Sequence, residues 1–152
     1  MQYLHQLGLL AVLPGLAEEI LVPEAVVAEL AAGRVGGVNV PKVAELGWFT
    51  VRRPESLSVL PLVTALGRGE TEVLALALER SGYVSVLDDK LARNFAQTLS
   101  VPFTGTLGLL LDAKRKGLVE AVSPVIDDLW ALGFRVNPTT VQAVLRFAGE
   151  TK

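Results

Sequence analysis

Residues 70–89 constrain the fold more than any other stretch of the chain. Glu70 leads into an unbroken apolar run at 73–78, Ser81-Gly82 turns the chain, and Tyr83-Val-Ser-Val-Leu87 ends directly at Asp88-Asp89. The apolar run reads as a helix and the β-branched, aromatic segment as a buried strand, with charge placed where the strand stops. A second such unit precedes it. Ile20-Leu-Val22 reads as a short buried strand, and Pro23 opens a helix at its first turn, where a missing amide hydrogen costs nothing, to end at Gly33. Short buried strands alternating with helices predict an α/β domain with a mostly parallel sheet. In such sheets ligands bind beyond the carboxyl ends of the strands, the place that Asp88 and Asp89 occupy.

The remaining text fits the same pattern. Leu4, Leu7, Leu10 and Leu13 make a helical stripe closed by Pro14-Gly15. Residues 38–40 and 48–52 are expected strands, and residues 57–66 a short helix despite Pro61. Leu91, Ala92, Phe95, Ala96 and Leu99 keep helical spacing, and Val101-Pro-Phe103 suits an edge strand because of its proline. Helices are expected from Leu107 to about Lys116, stopped by Gly117, then at 125–132 and 139–147. No repeat, low-complexity tract or linker interrupts the 152 residues, so a single domain over 1–152 is expected.

Composition narrows the chemistry. The chain has no cysteine and one histidine, His5, which excludes disulfides, thiolate sites and histidine-rich zinc sites. A bound metal would be held by oxygen, which favours magnesium, manganese or calcium. The net charge of -2 argues against holding nucleic acid by bulk electrostatics, although a carboxylate cluster that recruits cations can look acidic overall. The first ten residues are apolar without a basic leader, and Pro14 interrupts them short of the ~20 residues of a membrane span. A cytoplasmic protein is expected.

The acids that mark element edges are Glu29, Glu70, Asp88 and Asp89. If the chain folds back at Ser81-Gly82, the amino terminus of the helix bearing Glu70 meets the carboxyl end of the strand before Asp89. The same residues also have an ordinary structural account. Glu70 and Glu72 suit the positive end of a helix, either aspartate can cap the helix beginning near Lys90, and Glu29 sits at the border of its helix's apolar face. Gathered together, such acids repel, and a hard divalent cation relieves the repulsion while activating water and stabilising charge on a phosphoryl oxygen. Phosphodiester hydrolysis is the chemistry that needs neither thiol nor imidazole. Lys90 and Arg93 adjoin the acids and are candidates to meet nucleic acid. Lys114-Arg115-Lys116 is a further basic run, though cations are expected in the last turn of a helix. The glycine-containing stretches at 33–37 and 105–108 lack phosphate-loop spacing, and Trp48 and Trp130 are expected in the core or an interface.

Four segments, ILVPEAVVAEL at 20–30, GETEVLALA at 69–77, LDDKLAR at 87–93 and GTLGLLLDAK at 105–114, resemble the PIN-domain family in its branch of predicted nucleic-acid-binding proteins. The resemblance implies a three-layer α/β/α fold and a magnesium- or manganese-dependent ribonuclease site, often in toxins neutralised by an antitoxin-like partner protein. It makes Glu29, Glu70 and Asp89 the shared acids, with Asp88 beside them. Family members usually begin with a strand ending in an aspartate, whereas Met1 here falls inside the equivalent of the following helix, so that first strand and its acid are expected to be missing. An exposed sheet edge left in this way would favour a homodimer. The alternative to a ribonuclease is a nonenzymatic module that binds a protein partner or RNA.

Overall fold

Proline, glycine and charge cut the chain into short elements. The computed structural model describes residues 1–57 and 65–151. In chain order these hold α1 (Gln2–Gln6), α2 (Leu13–Leu16), β1 (Ile20–Pro23), α3 (Glu24–Val35), β2 (Phe49–Arg52), α4 (Arg68–Glu79) and β3 (Ser85–Val86). There follow α5 (Lys90–Thr98), β4 (Phe103–Thr104), α6 (Thr106–Arg115), α7 (Ser123–Ala131) and α8 (Pro138–Phe147). The architecture is mixed α/β and mostly helical, with two small parallel two-stranded sheets among the described residues. The chain divides into two compact units that interleave in sequence, one of Met1–Glu18, Asn39–Pro41 and Thr106–Lys152, the other of Glu19–Val38 and Lys42–Gly105. The helix expected at 57–66 lies largely outside the described residues.

The second unit carries all four strands. β1 pairs with β2 in parallel, Ile20 opposite Phe49 through Pro23 opposite Arg52, and β3 pairs with β4, Ser85 opposite Phe103 and Val86 opposite Thr104. The expected strand at 83–87 shortens to Ser85–Val86, with the Tyr83 hydroxyl donating to the Glu19 carboxylate and Val84 58% exposed. The strand expected at 101–103 shifts toward the carboxyl end. Pro102 has no amide to donate, but its carbonyl accepts from Ser85 N at 2.9 Å and the ladder continues from Leu87 N to Thr104 O at 2.8 Å. The core of this unit joins Leu74 and Ala75 of α4 to Leu87, to Ala92 and Ala96 of α5, and to Val101. Ala92 and Ala96 fall where helical spacing marks the apolar face, whereas Leu91 of the same set is 40% exposed.

In the first unit the expected helix over 3–13 breaks in three. Gly8 takes a left-handed φ of 68°, a 3-10 turn spans Leu10–Val12, and Pro14 sits in the first turn of α2, opening a helix where it was expected to close one. The strand expected at 38–40 does not form. Asn39 is instead tied to α1, its carbonyl accepting from Gln6 Nε2 at 3.0 Å and its Oδ1 standing 3.2 Å from His5 Nε2. Tyr3 packs edge-on against Phe134 at 5.1 Å between centroids, and Val12, Ala113 and Val119 form a buried cluster.

Glu150 binds the helices of the first unit together. Its Oε1 accepts from Lys114 Nζ at 2.6 Å and from Val122 N at 2.6 Å, and its Oε2 from Ser123 N at 2.8 Å. Burial pushes this carboxyl up, but the Lys114 hydrogen bond, the two amides and the Lys114 charge outweigh it and hold the group below the usual glutamate range. The basic run at the end of α6 is accounted for here, since Arg115 pairs with Asp112 and Lys116 donates to the Gly15 carbonyl. Trp48 is half-buried against Phe49, whereas Trp130 is exposed on α7. Among the described residues no helix is long and apolar enough to cross a membrane.

Candidate functional site

Both α3 and α4 begin where the chain leaves an extended conformation, at Pro23 and Gly67, and neither capping residue offers a side-chain acceptor to the exposed amides of the first turn. Those amides need partners, and each helix takes a glutamate from the other. Gly69 N donates to Glu29 Oε1 of α3 at 2.8 Å, and Ala25 N donates to Glu72 Oε2 of α4 at 3.0 Å. The second residue of each helix is therefore capped by an acid on its neighbour. Glycine at 69 permits the approach, because a Cβ there would stand 2.5 Å from Glu29 Oε2 and 3.0 Å from its Cδ.

At this helix pair a cleft of about 210 Å³ opens, lined by Val26 and Glu29 of α3, Gly69, Glu70 and Val73 of α4, and Val86, Leu87, Asp88 and Asp89 at the end of β3. All four acids singled out from the sequence meet there. Glu70 Oε2 lies 2.5 Å and Glu29 Oε1 4.0 Å from the point where a Cβ on Gly67 would stand, so the two carboxylates flank one corner. Glu70, in the first turn of α4, is half-buried and has no hydrogen-bond or ion-pair partner among the described residues.

The ordinary structural roles hold as well. Asp89 caps α5 by accepting from Ala92 N at 2.9 Å. Asp88 Oδ1 stands 3.5 Å from Arg93 Nη2, and Arg93 Nε donates to the Leu87 carbonyl at 2.7 Å. Gly105 leaves room for that pair, since a Cβ there would overlap Arg93 Nη2. Arg93 is thus committed to the end of β3, while Lys90 is exposed at the start of α5. No group of three His, Asp or Glu side chains is spaced to hold a metal among the described residues.

The donor set nonetheless suits a hard cation. Every polar side chain lining the cleft is a carboxylate, and magnesium is commonly held by one or two carboxylates, with water and substrate phosphate completing its shell. A three-acid cage is not required. Glu72, expected only to complement the positive end of α4, is 2% exposed and also accepts from Arg68 Nε at 3.2 Å. Its signal was present, because Ala75 and Leu76, three and four residues on, are apolar and buried and so place Glu72 on the inward face of α4.

Comparison with protein-family models matches residues 1–150 to one described as a PIN domain. Comparisons with curated proteins and with solved structures return no match.

Proposed function

The chain belongs to the PIN domain family, and from that membership we propose that it is a metal-dependent ribonuclease whose active site is the cleft of Glu29, Glu70, Asp88 and Asp89. PIN domains are typically nucleases that use divalent metals. The observation that supports the reading is the meeting of these four acids, drawn from three separate segments of the chain, around one opening. Glu70, together with one of Asp88 and Asp89, would hold magnesium or manganese, with Glu29 beside them and with water and substrate phosphate completing the shell. The cation, when bound, supplies positive charge that activates water and stabilises the charge developing on a phosphoryl oxygen. Glu70 is the residue best placed for this work, since its carboxylate has no structural bond among the described residues. Lys90, exposed beside the acids, would meet an RNA phosphate, with Arg93 holding Asp88 in place. The reading also carries the family's three-layer α/β/α single domain over 1–152, an antitoxin-like protein partner and a homodimer.

Cleavage of RNA with magnesium or manganese by the wild type, Glu70→Gln and Asp89→Asn tests the proposal. Asparagine caps a helix about as well as aspartate, so the second variant removes charge while leaving α5 capped. Rates are expected to fall about a hundredfold in each, the scale on which removing one electrostatic group slows catalysis. Equal rates in all three proteins overturn the assignment. The bonds already made by Glu29, Asp88 and Asp89 favour a second reading, a nonenzymatic module that binds RNA or a protein partner. Cation-dependent turnover excludes it, and RNA binding without turnover supports it.

A further inference from the structure

We infer that Glu72 is a positioning residue for the cleft: it fixes the start of α3 against α4 and thereby sets where the Glu29 carboxylate stands. The site reading above does not use Glu72, whose side chain is buried and does not line the opening. Its two oxygens are both engaged, one by the Ala25 amide in the first turn of α3 and the other by Arg68 Nε in the first turn of α4. Ala25 and Glu29 lie four residues apart on α3, one turn of the same face, so an acid that holds the first also fixes the height and rotation of the second.

The reciprocal bond closes the arrangement. Glu29 reaches back to Gly69 N with Oε1, while Oε2 lies 2.5 Å from the point where a Cβ on Gly69 would stand. Each cap holds the geometry that the other requires, so the two bonds are coupled through the packing of α3 on α4. A carboxylate at 72 is well suited to this because it accepts from two donors at once, where a glutamine would turn an N–H toward either Ala25 N or Arg68 Nε and lose one of them. The functional consequence, weaker cation binding when Glu72 is changed, rests on the proposed reading of the cleft; the mechanical statement about Glu29 does not.

Two variants separate these claims from general destabilisation. Glu72→Gln is compared with Glu79→Gln, a change at the far end of α4 that removes charge from the acceptor of the Glu55 and Ser56 amides. The readouts are hydrogen exchange at the Gly69 amide, followed by NMR well below the unfolding transition, and the affinity for manganese alone by calorimetry. Glu72→Gln is expected to lower Gly69 protection and manganese affinity roughly tenfold each, the size set by one charge-assisted hydrogen bond, while Glu79→Gln leaves both unchanged. Unchanged Gly69 protection in Glu72→Gln overturns the inference whatever manganese does. Lost protection with unchanged manganese affinity overturns its functional half. A wild type that binds no manganese refutes the cation reading of the cleft, and the Gly69 amide still decides whether Glu72 positions Glu29.

Discussion

Replacing Gly69 with alanine tests the geometry of the acid cleft because its two consequences have opposite sign. Alanine in a helix is favoured over glycine by roughly 1 kcal/mol. Against this, the new Cβ would stand 2.5 Å from Glu29 Oε2, so the carboxylate must swing away from the amide it now meets at 2.8 Å. A hydrogen bond to a charged acceptor contributes about 1.5–3 kcal/mol, and partial exposure of this one places it toward the lower end, near 2 kcal/mol. Gly69→Ala should therefore destabilise the wild type by about 1 kcal/mol yet stabilise a Glu29→Ala background by about 1 kcal/mol. The expected coupling in the double-mutant cycle is about 2 kcal/mol. Urea denaturation of the four proteins at neutral pH measures it. Stabilisation by Gly69→Ala in both backgrounds would show that Glu29 does not cap α4, and the cleft would lose the corner shared by Glu29 and Glu70.

Asp89→Ala should cost about 1 kcal/mol of stability through the lost cap of α5, whereas Asp89→Asn should be close to neutral; equal losses in urea denaturation would contradict the capping role. Because the Glu150 carboxyl is held below its usual value of 4.5, its contribution to stability is fully present above that pH and is lost as pH falls through the lower folded value. Wild type should accordingly exceed Glu150→Gln by about 1–3 kcal/mol at pH 7 and converge on it in strong acid, and a gap independent of pH would refute the assignment. The hydrogen bond from Tyr83 to Glu19, with slight desolvation and the charge of Glu19, raises the phenol above its ordinary value of 10.0. In ultraviolet titration Tyr83 should ionise at lower pH in Glu19→Gln than in wild type, with no change counting against the contact.

The two long helices of the second unit, α3 and α4, were legible in the sequence because local signals and burial agree. Pro23 marks the start of α3, and Glu70 followed by the apolar run at 73–78 marks α4, whose Leu74 and Ala75 are buried. The convergence of Glu70 with Asp89 was legible for a related reason, since a helix and strand joined by the turn at Ser81-Gly82 must bring those ends together. Where tertiary partners compete with a local pattern, the pattern lost. Asn39 bonds to α1 in place of a strand neighbour, and Tyr83 reaches for Glu19. The capping exchange between Glu29 and Glu72 could not be read from either helix alone. Glu29 and Glu72 stand in the second turns of their helices, where an acid looks like an ordinary face residue until the neighbouring helix that it caps is known. The same ambiguity applies to Asp88 and Asp89, whose structural bonds and position on the cleft are both real.

The central claim is that this cleft holds a hard divalent cation, and paramagnetic broadening by manganese in a two-dimensional amide spectrum tests it most directly. At substoichiometric manganese the amides of Gly69, Glu70, Leu87, Asp88 and Asp89 should broaden first, and Glu70→Gln should abolish the effect. Broadening centred on another acidic site, such as Asp127 and Asp128 of α7, or surviving unchanged in Glu70→Gln, would contradict the account.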